Sequence, residues 1–349
     1  GGTIFPLEIA LENGKALIRK NWSDQESILP GMQLLSIDGV EIDEVLAEIY
    51  SQIPAERLYF KQAKLEMFSF PRYAWQIFGE QETFQIKILA QGITKPYTIK
   101  AVPLIEEFEM KRDEILNAQQ RIEFLPEAAY LNPGDFGGDE PKYQAFIDSA
   151  FTEIKNQKPK NLIIDLRNNR GGNDSYSDYM VAYIADKPFR WNERFTLKTS
   201  AFLKTFVREN YDTTDVFWRE VLDRQDGEIY DYDFEPVNPM PKNKRFQGEV
   251  FVLINRHSYS QSAVTAAQIQ DYGWGTIVGE ETGEFPTLYA SQFQYPLPNT
   301  GIIVKVSKGQ IVRVNGSTKA EGVIPDIEIR DHLVDEKDEI LEGLLERLR

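Results

Sequence analysis

The 349-residue sequence contains no cysteine, which excludes disulfides, thiolate metal sites and cysteine nucleophiles. It has only two histidines, His257 and His332, so a metal site built from several histidines is not expected. No apolar run approaches the ~20 residues that a membrane-spanning helix needs. Basic residues are few, since 39 Lys and Arg stand against 55 Asp and Glu and the net charge is −16. A nucleic-acid partner is therefore not expected, because phosphate binding requires a basic face.

The composition supports a sizeable apolar core. Hydrophobic residues make up 42% of the chain and charged residues 27%, as in ordinary globular proteins, and the length allows two domains. The Gly1-Gly2 opening resembles a trimmed chain end, so we expect that a signal peptide was removed and that the protein is periplasmic or extracellular. No cofactor motif is present, and we expect no cofactor.

Residues 3–103 alternate short strand patterns with glycine-containing turns, and one helix is predicted over Val45–Ile53. The strands are predicted at Ile4–Ala10, Lys15–Arg19, Gln33–Ile37, Thr83–Leu89 and Tyr97–Val102. The run P-G-M-Q-L-L-S-I-D-G-V-E-I (Pro30–Ile42) resembles the PDZ family, whose members add an extended peptide beside a sheet edge. The family's Gly-Leu-Gly-Phe carboxylate loop is missing, and Phe5-Pro6-Leu7 is the nearest equivalent. We expect a PDZ-like domain over residues 1–103; the alternative is a small β-rich domain that binds nothing.

Residues 104–349 alternate strands and helices, which is typical of βαβ units around a central sheet. A charged connecting helix is predicted over residues 105–120, and the stretch 200–243 has weak periodicity and is predicted to be an insertion or lid. The remaining predictions are strands at Glu123–Leu131, Asn161–Leu166, Phe251–Ile254 and Thr276–Val278, and helices at Tyr143–Asn156, Ser175–Ala185, Gln261–Gln270 and Asp335–Arg349.

The stretch Phe251–Gly283 carries the strongest chemical pattern. A buried strand breaks into a polar turn holding Ser258, Ser260 and Ser262, and a helix of small residues follows. A serine between a strand and a helix start lies near unpaired backbone N–H groups and the positive end of the helix dipole. That arrangement provides both a nucleophile and an oxyanion site. The alternative is that these serines only cap the helix.

A second pattern, N-L-I-I-D-L-R-N-N-R-G-G, runs from Asn161 to Gly172. It predicts a buried strand that ends in a polar turn closed by two glycines, where backbone N–H groups can approach a ligand without obstruction by Cβ. The pattern is not G-x-x-x-x-G-K-S/T, so phosphate binding has no support.

Together these patterns resemble the tail-specific, or carboxy-terminal processing, peptidase family. The resemblance includes I-I-D-L-R-N-N-x-G-G, V-L-I-N-R-x-S-x-S-x-S, Q-D-Y-G, I-V-G-E-x-T and G-V-I-P-D in order along the chain. It implies an α/β (α+β) fold with a ClpP/crotonase-like core of βαβ units over residues 104–349. It also implies Ser260 as the nucleophile, an oxyanion hole from Gln261 with Gly171 or Gly172, and Asp271 as a further site carboxylate.

The general base of the family is missing from its usual positions. The family lysine falls at Phe285, and the histidine of the related tricorn-core branch falls at Asn132. A serine hydroxyl needs a neighbour within ~2.6–3.2 Å that takes its proton. The sequence leaves the identity of the base open among Lys308, Lys305, His257, Glu281 and Glu284. We favour the two lysines, because a desolvated lysine can lose its proton near neutral pH.

Three functions remain open at this point. The first is a serine endopeptidase that cleaves extended or carboxy-terminal polypeptide segments through an acyl-enzyme on Ser260. The second is a non-catalytic peptide-binding protein that has kept the fold and lost the base. The third, with the least support, is another acyl-handling enzyme on a related scaffold, because a fold alone does not determine a substrate.

Overall fold

A computed structural model of the chain describes residues 2–104, 108 and 118–349. The connecting helix predicted over residues 105–120 falls largely on the remaining residues and lies outside the described part.

Residues 2–104 form a β-rich unit in which a six-stranded sheet packs against three helices. The strands are β1 (Thr3–Ile4), β2 (Leu7–Glu12), β3 (Lys15–Asn21), β4 (Gln33–Ile37), β5 (Val40–Glu41), β6 (Thr83–Ala90), β7 (Ile93–Lys100) and β8 (Val102–Pro103). The helices are α1 (Ile42–Gln52), α2 (Leu58–Phe68) and α3 (Phe70–Phe78). The strand order is β2-β3-β4-β6-β7, with β5 paired to β4, and β1 pairs with β8 in a separate two-stranded ribbon. The description of this unit as PDZ-like stays a prediction.

Alternation of apolar and polar residues explains the sheet of this unit. In β6, Phe84, Ile86 and Ile88 are buried while the residues between them are exposed, as expected for a half-buried strand. The sequence did not predict α2 and α3. Buried residues in α2 follow no regular helical stripe, because one side of this helix faces the unit's own sheet and another faces the rest of the protein.

The second part of the chain forms a mixed α/β core with an additional sheet. Its strands are β9 (Arg121–Phe124), β10 (Ala128–Asn132), β11 (Asn161–Asp165), β12 (Arg194–Lys198), β13 (Ile229–Tyr232), β14 (Glu249–Ile254), β15 (Thr276–Gly279), β16 (Leu288–Pro296), β17 (Ile303–Val312) and β18 (Ile327–Glu328). Its helices are α4 (Glu140–Gln157), α5 (Asp174–Val181), α6 (Ala201–Asn210), α7 (Val216–Asp223), α8 (Gln261–Tyr272) and α9 (Glu339–Leu348).

The central sheet has the order β18-β15-β14-β11-β10-β9. All neighbouring pairs are parallel except β9 and β10. One face packs on α4, α5 and α8, and the other is covered by α9 through Ile340 and Leu344. Because the strands from β10 to β18 are parallel, the turns after β10, β11 and β14 meet at one edge of the sheet. Ligand sites of open α/β sheets lie at this edge.

One strand prediction in the core is wrong. The single strand predicted over Glu123–Leu131 is two antiparallel strands, β9 and β10, joined by a tight turn in which Leu125 N donates to Ala128 O at 2.8 Å. The closing helix is also shorter than predicted, since it begins at Glu339, where the side chain of Asp338 caps Leu341 N.

The stretch 200–243 belongs to a separately packed layer. β12 and β13 join the long β16–β17 hairpin in a four-stranded sheet of order β13-β12-β17-β16, with α6 and α7 packed on it. This layer, which we call the lid layer (β12, β13, β16, β17, α6 and α7), has its own aromatic cluster. Val264 of α8 is part of that cluster, so the lid layer rests on the helix that follows the serine turn. Its function as a lid stays a prediction.

None of the helices in the described part of the chain is long and apolar enough to cross a membrane.

Candidate active site

Ser260 occupies a strained position between β14 and α8. It precedes the first residue of the helix, and its backbone has φ 56° and ψ −131°, a region that residues other than glycine rarely adopt and that costs on the order of 1–3 kcal/mol. Nucleophilic serines occur on such strand-to-helix turns because the turn exposes the hydroxyl above the sheet edge. The strain distinguishes Ser260 from an ordinary helix-capping serine, and its side chain makes no capping hydrogen bond.

The two neighbouring serines have structural roles. Ser258 Oγ donates to Leu166 O at 2.7 Å and accepts from Asn255 N at 3.1 Å. Ser262 Oγ donates to the same Leu166 oxygen at 3.3 Å, and both serines are buried. They tie the serine turn to the end of β11. In contrast, Ser260 is only partly buried, and its Oγ has no hydrogen-bond partner among the residues that the structure describes.

Of the two glycines after β11, Gly171 lies against the serine turn and Gly172 against the backbone of Phe136. A Cβ on Gly171 would lie 2.5 Å from Gln261 N and 2.8 Å from Ser260 Cβ, and a Cβ on Gly172 would lie 1.9 Å from Phe136 O. Both have positive φ, 79° and 138°, so only glycine fits here. Gly171 N donates to Asn169 Oδ1 at 2.7 Å. The N–H groups of Gly172 and Gln261 have no acceptor within the described residues.

Glu284 is the carboxylate that reaches the serine turn. Its Oε2 accepts from Ser260 N at 2.5 Å. Burial raises the pKa of Glu284 to about 7, although the hydrogen bond from Ser260 and the charge of Lys64 oppose the shift. Lys64, on α2, lies over the ring of Phe60 and donates to Pro54 O. A carboxyl group with a pKa near neutrality can both take up and release a proton under physiological conditions.

The family positions for the base are occupied by residues with other contacts. Phe285 lies next to Glu284 in sequence, but its ring packs under the guanidinium of Arg57, 4.9 Å from the ring centre. Asn132 ends β10 in a buried position, and its Oδ1 accepts from Gly134 N at 2.9 Å. Neither side chain can take a proton from a serine.

The two lysines favoured from the sequence lie in different surroundings on β17. Lys308 is buried in the lid layer, with its Nζ 4.3 Å from the ring centre of Trp218. Burial lowers the pKa of Lys308 to about 8, against the charge of Asp174 two residues after Gly172. Lys305 is exposed and pairs across the hairpin with Gln294. Since Lys308 lies three positions after Lys305 and successive side chains alternate along a strand, the two side chains point to opposite faces.

Asp271 lies at the other end of α8 from Ser260, ~16 Å away at 1.5 Å of helix rise per residue. Its carboxylate binds Arg313 through two 2.8 Å contacts and Asn315 through a 2.9 Å contact. This residue therefore ties the helix to the end of β17, and the structure does not bring it together with the nucleophile.

The other two candidate bases are held by other residues. His257 is buried, with Nδ1 3.1 Å from Asn168 Oδ1 and Nε2 2.8 Å from Glu66 Oε2. Glu281 binds Arg57 at 2.7 Å and accepts from Gly322 N at 2.8 Å. The sequence analysis missed Glu66, because α2 itself was not predicted and a lone glutamate in a charged helix gives no signal.

The histidine and carboxylate side chains of the described residues do not suggest a metal site. No group of histidine and carboxylate side chains in residues 2–104, 108 and 118–349 could hold a metal ion.

Comparisons with known proteins identify related sequences and similar folds. A tail-specific protease of Haemophilus influenzae is 27% identical over 198 residues, which is 55% of this chain; the chain spans only 23% of that relative's length. Among solved structures, mature CPAF superimposes with a TM-score of 0.68 over 99% of this chain and 80% of that chain, at 17% identity. CPAF complexed with lactacystin gives 0.67, over 99% and 81%, also at 17%; these likenesses establish the fold alone. The family model for peptidase family S41 matches residues 127–329, so the chain belongs to peptidase family S41.

Proposed function

We propose that the protein is a serine-type endopeptidase that cleaves extended or carboxy-terminal polypeptide segments through an acyl-enzyme on Ser260. The observation that carries the proposal is the turn itself. Of its three serines, Ser258 and Ser262 donate to one carbonyl oxygen, while Ser260 is strained and partly exposed, and its hydroxyl has no partner in the described part of the chain. A residue without a structural hydrogen bond in a costly conformation is typical of a functional site.

Glu284 is the proposed proton acceptor. Its carboxylate already binds the amide of Ser260, and the amide nitrogen and the Oγ of one serine are close neighbours, so rotation of the Ser260 side chain brings the hydroxyl towards the same oxygen. Ser260 Oγ then bonds to the scissile carbonyl carbon as its proton passes to Glu284, which returns the proton to the leaving amine. Lys308 is the competing candidate, because burial lowers its pKa to about 8.

The N–H groups of Gln261 and Gly172 are the proposed oxyanion hole. Gln261 follows Ser260, and Gly172 follows Gly171, which lies against the serine turn. Neither N–H group has an acceptor in the described residues, whereas Gly171 N donates to Asn169. Two such donors stabilise the negative charge that develops on the carbonyl oxygen in the transition state. Gly171 contributes by its lack of a side chain, which lets the two turns approach.

The family likeness supports a proposal for the substrate class and one for the location. We propose an unfolded or extended polypeptide as substrate, because the relative from Haemophilus influenzae is named a tail-specific protease. A periplasmic or extracellular location is proposed on the same ground, and fractionation of cells that express the full-length gene tests it.

Labelling with a fluorophosphonate probe tests the proposal. We expect stoichiometric labelling of the wild type, loss in Ser260→Ala, and retention in the matched control Ser262→Ala, whose hydroxyl makes only a 3.3 Å contact. Lactacystin is a second probe, because CPAF has been captured in complex with it. Absence of labelling at every pH would refute the peptidase proposal and favour a non-catalytic peptide-binding protein.

A further inference from the structure

Helix α2, which belongs to residues 2–104, contacts the turn that carries Ser260. Glu66, near the end of α2, is buried and binds both residues that open the turn. Its Oε2 accepts from Arg256 Nε at 2.7 Å and lies 2.8 Å from His257 Nε2, while its Oε1 accepts from Leu11 N at 2.7 Å. Phe60, on the same helix, packs against Tyr259, with ring centres 6.0 Å apart.

Hydrogen-bond directions determine the proton on the first nitrogen of His257. Asn255 Oδ1 accepts from two backbone amides, Asn168 N and His257 N, both at 3.1 Å. This fixes the orientation of the Asn255 amide, so its Nδ2 donates to Asn168 Oδ1, also at 3.1 Å. The same oxygen faces His257 Nδ1 at 3.1 Å. Asn168 Oδ1 carries only lone pairs and would repel a lone pair on His257 Nδ1. The Nδ1 atom therefore carries a hydrogen.

The second nitrogen faces a carboxylate. Although burial favours the neutral acid, the Arg256 guanidinium and the hydrogen bond with His257 hold the pKa of Glu66 well below its usual range. An ionised Glu66 requires a hydrogen on Nε2 as well, so His257 is an imidazolium. Burial lowers the pKa of His257, as do the charges of Arg256 and Arg19, and Glu66 opposes them. The hydrogen bonds at both ring nitrogens decide in favour of the charged form.

Further charged groups surround Glu66 and His257. Besides Glu66, two carboxylates reach Arg256: Glu12 from β2 at 2.7 Å and Glu280 after β15 at 3.3 Å. Arg330 binds Glu12 at 2.7 Å. Three carboxylates therefore face the guanidiniums of Arg256 and Arg330 and the imidazolium, and Arg19 adds a further positive charge near His257. The carboxylates offset most of this positive charge, and buried ions are tolerated only where they are paired.

We infer that Glu66 is a positioning residue for Ser260, which holds His257 as an imidazolium and thereby fixes the turn that supports the strained nucleophile. A backbone in a costly conformation persists only where the surrounding residues fix it. Glu66 fixes the serine turn from α2, which lies outside the peptidase core. The inference rests on the proposed function for its effect on rate, but not for the protonation of His257.

Nitrogen NMR of ¹⁵N-histidine-labelled protein tests the inference, because the chain has only two histidines and a His332→Gln variant identifies the second. We expect both ring nitrogens of wild-type His257 to be protonated at pH 7, and one of them to lose its proton in Glu66→Gln. The fluorophosphonate labelling rate of Glu66→Gln should fall about 10- to 100-fold, the effect of a small displacement of a reacting group.

Glu12→Gln is the matched control. This substitution also removes a buried carboxylate from Arg256, but Glu12 makes no described contact with His257. The thermal stability of the Glu12→Gln variant should therefore fall as in Glu66→Gln. Its labelling rate should stay within about twofold of the wild type, and His257 should keep both protons. A singly protonated His257 in the wild type, or equal loss of labelling in both variants, would overturn the inference. If the wild type does not label at all, the proposed function fails. The inference is then decided by the NMR result alone, that is, by the number of protons on His257 in the wild type and in Glu66→Gln.

Discussion

The proposed base predicts a specific dependence of reactivity on pH. Glu284 accepts a proton only when ionised, and burial raises its pKa to about 7, so the labelling rate should rise with pH through that value and level off above it. At pH 5, two units below, about one hundredth of the carboxyl groups are ionised, so the rate should be about 100-fold below the plateau. If Lys308 is the base instead, the rise lies near its pKa of about 8.

Two variants separate these possibilities. Glu284→Gln keeps an oxygen that can accept from Ser260 N but cannot take a proton, so the plateau rate should fall about 10²- to 10⁴-fold and the rise near pH 7 should disappear. Lys308→Met keeps the packing against Trp218 and removes the amine, and it should leave the rise in place. The assay is the second-order rate constant of fluorophosphonate labelling between pH 5 and 9. A pH 7 rise that survives in Glu284→Gln, or that vanishes in Lys308→Met, refutes Glu284 as the base.

Other parts of the structure give further expectations. Gly171→Ala places a methyl group 2.5 Å from Gln261 N, so labelling should fall at least about 100-fold, as when an oxyanion donor is lost; unchanged labelling would contradict this geometry. Burial raises the pKa of Asp178 to about 8, so folding takes up a proton between the unfolded and folded pKa values, and stability is lost as pH rises towards 8. Asp178→Asn should therefore raise the free energy of unfolding at pH 8 by at least about 1 kcal/mol and change it little at pH 4, measured by urea denaturation. Asp271→Asn should weaken the tie to β17 and lower the melting temperature while labelling persists, and complete loss of labelling would give Asp271 a part in the chemistry.

Local pattern was sufficient for much of the fold. The strand Gln33–Ile37 and the start of the helix at Gln261 match the structure, because each is marked by a short apolar run or by a turn next to it. The single strand predicted over Glu123–Leu131 overlooks Pro126, which lies in the turn between β9 and β10. Proline favours turns and cannot donate a backbone hydrogen bond within a sheet, so Pro126 marks the break, although the sequence contains no glycine or asparagine beside it.

Part of the site could be predicted from the sequence for a similar reason. Ser260 and the two glycines belong to ordered motifs, and the structure brings these motifs into contact. Glu284 was one of several open candidates, and only tertiary structure shows that it, and not Phe285 beside it, faces the serine turn. Glu66 could not be found at all, because its partners lie about 190 residues away in sequence.

The contact between α2 and the serine turn has a consequence for how the chain can be divided. A cut near residue 103 separates two sheets cleanly, yet it would leave Arg256 and His257 buried without Glu66 and Glu12. An uncompensated buried charge costs about 3–5 kcal/mol, a large share of the ~5–15 kcal/mol that stabilises a typical domain. A chimera that carries the amino-terminal half of another protein therefore needs a carboxylate at the place of Glu66, whatever peptide that half was chosen to bind.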